Sequence, residues 1–255
     1  MTSKRNAQIC ALLTGIETAD AAAVTIVNPE KYIQHNPRTH AGGEGLAALF
    51  KRLAKTSPRI NIVRVFCAGD YVFAHTEYDF SSRRIGFEVF RFEGDQTVEH
   101  WDNIQPREGP NPSGHTMVDG ATQVGDIDNT DSNREIVRAF LAQVLINGLF
   151  EKLDHYIADQ HFTEHNPHMA DGISALRAAL SAATPAGSTR IRYNKIHRLL
   201  TEGNFVLSVC KGSVGGIHSS FYDLFRVAES KLTEHWDTTE AIPPQSEWKN
   251  DNGKF

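Results

Sequence analysis

The chain has 255 residues, 26 of them Lys or Arg and 31 Asp or Glu, with a formal net charge of −5 at pH 7. The two signs are interspersed and form no basic stripe, which argues against nucleic acid as a partner. No apolar run approaches the roughly 18 residues that a membrane-spanning helix needs, and the first residues do not resemble a secretory signal. We therefore expect a cytoplasmic protein with neither a nucleic-acid nor a membrane partner.

Two short motifs occur twice in the chain, in the same order. The string Glu-His-Trp-Asp at residues 99–102 returns at 234–237, and His-Asn-Pro at residues 35–37 returns at 165–167. A repeated tetrapeptide that contains Trp, of which the chain has 3, is improbable by chance. Because internal similarity at a near-constant offset indicates duplication, we predict two tandem copies of one domain.

The join between the two copies is rich in Pro, Gly and Asp. Residues 106–128 show little apolar periodicity and are typical of a surface linker. The string Ser132-Asn133-Arg134-Glu135 then has the pattern of a capping box, which predicts the start of a helix. We predict a first domain over residues 1–110, a linker over 111–128 and a second domain over 129–255.

Helices are predicted at the start of each copy. Apolar residues recur at three- and four-residue spacing from Ile9 to Ile16 and from Ile136 to Leu145, which is typical of amphipathic helices. Further helical segments are expected at 21–27, 46–54, 149–157 and 173–182.

Antiparallel strands are predicted to follow the helices, because the apolar period changes to two. In the first copy the strands cover 60–66 and 71–75, then 85–93 and 97–104, with tight turns at Gly69-Asp70 and Gly94-Asp95. Helices followed by consecutive antiparallel strands make an α+β fold, with the helices packed on one face of a curved sheet. The concave side of such a sheet offers a pocket for a small molecule.

The repeated motifs resemble those of a known family. Phe-Arg followed by His-Trp-Asp, at residues 90–102 and again at 225–237, resembles the last hairpin of SnoaL-like polyketide cyclases. The whole chain is similar to predicted SnoaL-like proteins described as catalysing aldol condensation, whose hallmark strings are His-Asn-Pro and Glu-His-Trp-Asp. This resemblance implies two tandem cone-shaped domains of the NTF2-like class.

The resemblance also implies roles for particular residues. In the cyclases the Asp of the final hairpin moves the proton, and its positions here are Asp102 and Asp237. The family's pocket Asn corresponds to Asn36 and Asn166. The cyclases carry a His fourteen residues before that Asp, whereas this chain carries the carboxylates Glu88 and Asp223 at those positions.

Strand alternation gives these carboxylates a physical interpretation. Glu88 shares a strand face with Phe90 and Phe92, and an apolar face raises the pKa of a carboxyl group toward the range useful for proton transfer. If the last hairpin pairs as predicted, Glu88 and Asp102 share one pocket. Repulsion between their like charges then separates their pKa values, so that one residue serves as an acid and the other as a base. The alternative is structural: Asp102 bonds backbone amides or an Arg.

Several other residues are candidates for contact with a substrate. His35 and His165 stand where the chain turns, and each either donates a hydrogen bond to a substrate carbonyl or caps the local backbone. His75 alternates with Tyr71 and Phe73 and belongs to the first copy only, since its counterpart is Val209. His100 and His235 share a strand face with Asp102 and Asp237, so one interpretation is that each imidazole orients that carboxylate. In the other, Trp101 and Trp236 pack on the opposite face instead of lining the pocket, and His100 and His235 are expected to be partly exposed.

No metal and no cofactor are predicted. His35, His75 and Asp102 could in principle form a triad of two His and one carboxylate, but no compact ligand motif supports it. The leading hypothesis is cofactor-free enolisation of a small hydrophobic carbonyl compound, leading to isomerisation, cyclisation or aldol-type chemistry. The alternatives are a non-catalytic binding or dimerisation module, and addition of water to an epoxide. We expect the two copies to pair as an intramolecular pseudo-dimer, with association into a homodimer left open.

Overall fold

The chain divides into two compact units. The structure, a computed structural model, describes residues 2–158, 161–185, 187 and 189–255. One unit consists of residues 1–107 together with 242–255, and the other of residues 108–241. The boundaries predicted from sequence differ from these units, and residues 108–110, predicted to end the first domain, belong to the second unit. The predicted linker, 111–128, packs with the second unit, and the C-terminal residues 242–255, predicted to lie in the second domain, pack with the first.

Three helices and five strands form the first unit. The helices are α1 (Thr2–Thr14), α2 (Ala21–Val24) and α3 (Gly42–Ala54). The strands are β1 (Ile33–Gln34), β2 (Arg59–Ala68), β3 (Tyr71–Asp79), β4 (Arg83–Glu93) and β5 (Gln96–Pro106).

The second unit repeats this order of elements. Its helices are α4 (Thr130–Phe140), α5 (Leu153–Tyr156) and α6 (Ile173–Ser181), with a π-helical stretch at Leu141–Ile146 directly after α4. Its strands are β6 (Thr163–Glu164), β7 (Ile191–Glu202), β8 (Phe205–Val214), β9 (Ile217–Ala228) and β10 (Lys231–Ala241).

Each unit contains one five-stranded sheet of identical topology. The strand order is β1-β5-β4-β3-β2 in the first unit and β6-β10-β9-β8-β7 in the second. The short first strand of each sheet runs parallel to the last strand, while all other pairs are antiparallel. The predicted α+β class, with two tandem units that each pack helices against an antiparallel sheet, is confirmed.

The hydrophobic core of each unit lies between its helices and one face of its sheet. In the first unit Ile9 and Leu12 of α1 and Phe50 of α3 pack against Val72 and Phe90. The second core is built in the same way, because the three- and four-residue spacing of the helices meets the two-residue spacing of the strands. The same sheet face carries the candidate acids.

Helix α4 does not begin at the predicted capping box. It starts at Thr130, directly after a 3-10 turn at Ile127–Asn129. Asn133, in the middle of the predicted box, is buried and donates through Nδ2 to the Gly203 carbonyl at 3.0 Å. The helix thus begins two residues before the predicted cap Ser132, and Asn133 within it makes a tertiary hydrogen bond that no local pattern shows.

Candidate functional site

The register of the last two strands brings the candidate acids together in both units. Glu88 on β4 lies directly opposite Asp102 on β5, and Asp223 on β9 lies opposite Asp237 on β10. Because directly opposite residues share a face, each pair lies on the side of the sheet that faces the helices. His100 is two residues from Asp102 and lies on that face too.

A chain of hydrogen-bonding groups crosses the first site. The Tyr78 hydroxyl donates to Glu88 Oε1 at 2.6 Å, and His100 Nε2 lies 2.6 Å from Glu88 Oε2. The other nitrogen of His100 lies 3.1 Å from Gln34 Oε1, and its ring stacks on Phe90 with centroids 4.4 Å apart. His100 is buried, as is His235 in the second unit, so the expected partial exposure of these histidines was wrong.

Asp102 is held by an amide and an ammonium group. Asn36 Nδ2 donates to Asp102 Oδ2 at 2.7 Å, and Lys254 Nζ lies 3.5 Å from Oδ1. Within the described part of the chain, neither this Oδ1 nor the buried Tyr32 hydroxyl has a hydrogen-bond partner. Burial raises the pKa of Tyr32 well above its ordinary value, and the charges of Glu88 and Asp102 add to the effect.

In the second site three donors converge on Asp223. Tyr193 donates to Asp223 Oδ1 at 2.8 Å, and Ser208 donates to Oδ2 at 3.0 Å. The third group is His235, whose Nε2 lies 3.4 Å from Asp223 Oδ1. Burial of the phenol, together with the Asp223 charge, raises the pKa of Tyr193 well above its ordinary value, so its hydroxyl remains a donor.

His235 is placed between two carboxylates. Its Nδ1 lies 2.9 Å from Glu164 Oε1, and that oxygen also accepts the backbone N–H groups of His165 and Asn166 at 2.9 Å each. Burial alone would lower the pKa of His235, but the Glu164 charge and the hydrogen bonds to Asp223 and Glu164 raise it well above its ordinary value. This environment favours the imidazolium form of His235.

The carboxyl group of Asp237 is held by Asn166 and perturbed by its burial. Asn166 Nδ2 lies 2.9 Å from both of its carboxylate oxygens, which fixes the plane of the group. Burial raises the pKa of Asp237 to about 7; the His235 charge and the Asn166 hydrogen bond oppose this rise, and the charges of Glu164 and Asp223 reinforce it. The side chain of Asp237 is only partly shielded from solvent.

Five of the predicted substrate contacts lie on the opposite face of the sheets. Trp101 alternates with Asp102 and stacks on His35 at 4.7 Å, and Trp236 stacks on His165 at 4.6 Å. His75 pairs with Phe87 and stacks on it at 4.4 Å, on the face that Glu88 does not share. The structure therefore does not bring these residues to the acids, because the pleat separates neighbours in sequence.

The two predicted asparagines, by contrast, do reach the acids. Asn36 and Asn166 each stand two residues after the short parallel strand beside the last strand, and this pairing places their amides against Asp102 and Asp237.

Sequence reasoning missed several polar residues of the two sites. Gln34 and Glu164 stand one position before the repeated His-Asn-Pro string, so the repeat itself could have revealed them. Tyr78 and Tyr193 had no such signal, since they come from non-equivalent strands, β3 and β7. Lys254 lies 152 residues from Asp102 along the chain, and no local pattern joins the two.

Two clusters offer sets of possible metal ligands. The ligand atoms of Glu88, His100 and Asp102 lie within 4.8 Å of one another, as do those of His115, Asp119 and His165. In the second cluster His165 Nδ1 lies 2.8 Å from the Thr116 carbonyl, a contact that needs an N–H on that nitrogen. A nitrogen that donates a proton has no lone pair for a metal, so this arrangement fits a hydrogen-bonded His rather than a ligand.

The chain is similar to several solved structures, and the three described below each match less than half of it. A putative ketosteroid isomerase from Kribbella flavida is 14% identical over 46% of this chain and 84% of its own, with a TM-score of 0.38. An LEH-like epoxide hydrolase from M. tuberculosis is 23% identical over 44% of this chain and 85% of its own, with a TM-score of 0.35.

The putative polyketide cyclase IdmH from Streptomyces antibioticus is 14% identical over 40% of this chain and 91% of its own, with a TM-score of 0.36. No protein-family model and no curated protein matches the chain. Among the described residues, no helix is both long enough and apolar enough to cross a membrane.

Proposed function

We propose that the second unit catalyses proton transfer beside the carbonyl group of a small hydrophobic molecule, with Asp237 as the proton-transferring group. The observation that supports this proposal most directly is the carboxyl group of Asp237, whose pKa is raised to about 7 and whose plane is fixed by Asn166. A general base is most effective when its pKa lies near the working pH, because it is then both partly ionised and basic enough to accept a proton.

The reaction needs no electron carrier. Asp237 takes a proton from the carbon next to the carbonyl, the C–H electron pair moves toward the carbonyl, and an enolate forms. Where a C=C bond is conjugated with the enolate, Asp237 returns the proton to the far carbon and the double bond shifts. Where the molecule has a second carbonyl, the enolate carbon attacks it and closes a ring, and the resulting alkoxide takes the proton back from Asp237. Both outcomes conserve atoms and electrons.

The buried polar network provides the electrostatic environment for this chemistry. Asp223 and Glu164 hold the His235 cation in place, and its charge acts on Asp237. A fixed positive charge near the reacting group favours the anionic enolate more than the neutral ketone. The surrounding sheet face and helices are apolar, with Phe221 and Phe225 among the buried side chains, which favours a hydrophobic substrate.

Deuterium exchange tests the proposal without knowledge of the natural substrate. Small cyclic ketones are incubated with the protein in D2O, and deuterium uptake beside the carbonyl is followed by proton NMR. We expect the rate to rise with pH through about 7 as Asp237 ionises. Asp237→Asn should lower the exchange catalysed by the second unit by about 10²–10⁴-fold, the usual contribution of a general base.

Asp102→Asn, the equivalent change in the first unit, is the matched control and should leave the exchange due to the second unit intact. Far-UV circular dichroism checks that both variants are folded. If the protein binds a ketone tightly and the ketone gains no deuterium, the proposal is wrong and the non-catalytic binding module takes its place.

A further inference from the structure

A buried tyrosine lies beside the acid pair of the first unit. Tyr32 stands two residues before Gln34, so alternation along an extended chain gives both the same face, and it is 5% exposed. Its ring lies parallel to the imidazole of His100, with centroids 6.5 Å apart. Burial, together with the charges of Glu88 and Asp102, raises the pKa of its hydroxyl well above the ordinary value. The hydroxyl therefore stays protonated and is a hydrogen-bond donor.

Two buried polar atoms of this site have no hydrogen-bond partner within the part of the chain that the structure describes. One is the Tyr32 hydroxyl, and the other is Oδ1 of Asp102, a residue that is also 5% exposed. Asn36 donates to the other carboxylate oxygen. Lys254 Nζ donates to the Asp102 carbonyl and lies 3.5 Å from Oδ1, which is longer than an ordinary hydrogen bond. Because a buried polar group without a partner is costly, a donor and an acceptor left over on one sheet face indicate a bound molecule.

The corresponding positions of the second unit differ. Phe162 stands where Tyr32 stands in the first unit, at the same offset that relates the two His-Asn-Pro strings, and it packs in the hydrophobic core. Both carboxylate oxygens of Asp237 lie 2.9 Å from Asn166 Nδ2. The leftover donor and acceptor are therefore features of the first site, and the chain itself supplies the comparison that tests their role.

We propose that the first unit binds a small molecule that carries both a carbonyl and a hydroxyl group, with Tyr32 and Asp102 as the contacts that select it. The Tyr32 hydroxyl donates to the carbonyl oxygen, and Asp102 Oδ1 accepts the O–H of the ligand. The carbon skeleton of the ligand contacts the apolar side chains that cluster with Tyr32, among them Leu46, Phe50 and Phe90. A ketone without the hydroxyl leaves the Asp102 oxygen unpaired and binds more weakly. This assignment concerns a different unit from the proposed function and needs no proton transfer.

NMR of the full chain with carbon-13 in its tyrosine rings tests the proposal. Tyr78 reports on the first site and Tyr193 on the second, since they donate to Glu88 and Asp223. Tyr78→Phe and Tyr193→Phe assign the two resonances, and the wild-type protein is titrated with 2-hydroxycyclohexanone and with cyclohexanone. We expect the hydroxyketone to half-saturate the Tyr78 shift at a concentration about tenfold lower than cyclohexanone does, the usual effect of one buried hydrogen bond. Tyr193 should show no such preference.

Tyr32→Phe gives the first unit the ring that the second unit has at this position, and it provides two measurements. Half-saturation of the Tyr78 shift should need about tenfold more hydroxyketone, with the response of Tyr193 unchanged. Without ligand, the midpoint of urea unfolding should rise, because the variant no longer buries a hydroxyl that lacks a partner. Tyr156→Phe removes the hydroxyl of a buried tyrosine of the second unit and is the matched control, which should titrate at Tyr78 as wild type does.

The proposal is overturned if the hydroxyketone leaves the Tyr78 resonance unchanged, if cyclohexanone binds there equally well, or if Tyr32→Phe binds the hydroxyketone as wild type does. Equal binding of cyclohexane-1,2-diol would overturn the carbonyl assignment. A lower urea midpoint in Tyr32→Phe would show that the hydroxyl stabilises the fold through a partner, and would also contradict the proposal. Since binding is measured without turnover, absence of deuterium exchange would contradict the proposed function of the second unit alone.

Discussion

The two sites keep the same geometry and differ in their charges. In both, two acids lie opposite each other in the last hairpin: the first acid is Glu88 or Asp223, and the second acid is Asp102 or Asp237. An Asn amide donates to the second acid, and a His contacts the first. In the first site that His faces the neutral Gln34, while in the second it faces the carboxylate of Glu164. The two copies therefore share the same backbone register, and a single side-chain difference, Gln34 against Glu164, changes the charge beside the His.

The sites also obtain their tyrosine from different strands. Tyr78 comes from β3 in the first unit, and Tyr193 comes from β7 in the second. Each ring has a glycine nearby: a Cβ on Gly86 would lie 3.2 Å from the Tyr78 ring, and Gly212 is directly opposite Tyr193 in the sheet. A phenol that donates to the first acid is thus common to both sites, although the residue position is not.

Truncation of the first acid, Asp223 or Glu88, should produce the largest change in unfolding free energy. The size of the change should differ between the two hydrogen-bond networks. Asp223→Ala removes the shared acceptor of Tyr193, Ser208 and His235, and breaking such a buried network costs about 3–5 kcal/mol of unfolding free energy. Glu88→Ala removes an acceptor from Tyr78 and His100 only, so we expect a smaller loss. Urea unfolding measures both; Asp223→Asn is the control that keeps the volume, and an equal loss in the two Ala variants would contradict the comparison.

The pH dependence of the unfolding free energy should distinguish Asp237 from exposed acids. Because its pKa is raised to about 7 from 3.8, the folded state holds a proton that the unfolded state has released, and stability falls as pH rises from about 4 to 7. Asp237→Asn should remove this loss, so the variant gains stability relative to wild type over that range, by a few kcal/mol at most. Urea unfolding at several pH values measures the gain.

Asp128→Asn, a change at an exposed acid, is the control for this pH series and should show no such trend. A constant difference between Asp237→Asn and wild type across pH 4–8 would show that Asp237 is not perturbed.

The smallest expected effect concerns the two glycines. A Cβ on Gly86 would meet Ile104 at 3.0 Å and Tyr78 at 3.2 Å, side chains that can shift by a few tenths of an ångström. A Cβ on Gly212 would clash with the Arg192 carbonyl, which belongs to the backbone of the neighbouring strand. We expect Gly212→Ala to cost about 1–3 kcal/mol and Gly86→Ala less, as measured by thermal unfolding. The reverse order would argue against the roles assigned to these glycines.

Much of the fold could be predicted from the spacing of apolar residues along the chain. The helices at the start of each copy, the hairpins at Gly69 and Gly94 and the pairing of Glu88 with Asp102 follow from local apolar spacing and turn residues. The same alternation separates Trp101 from Asp102, which is why the expectation that Trp101 and His35 contact the substrate is not supported by their placement.

The sequence by itself determined the duplication, the α+β class and the strand face that carries the acids, because these depend on short-range spacing. Only the tertiary structure decided which groups surround each acid. Lys254 and the tyrosines reach the acids across large separations in sequence, and the balance of burial and charge that raises the pKa of Asp237 to about 7 exists only once those distant groups are packed together.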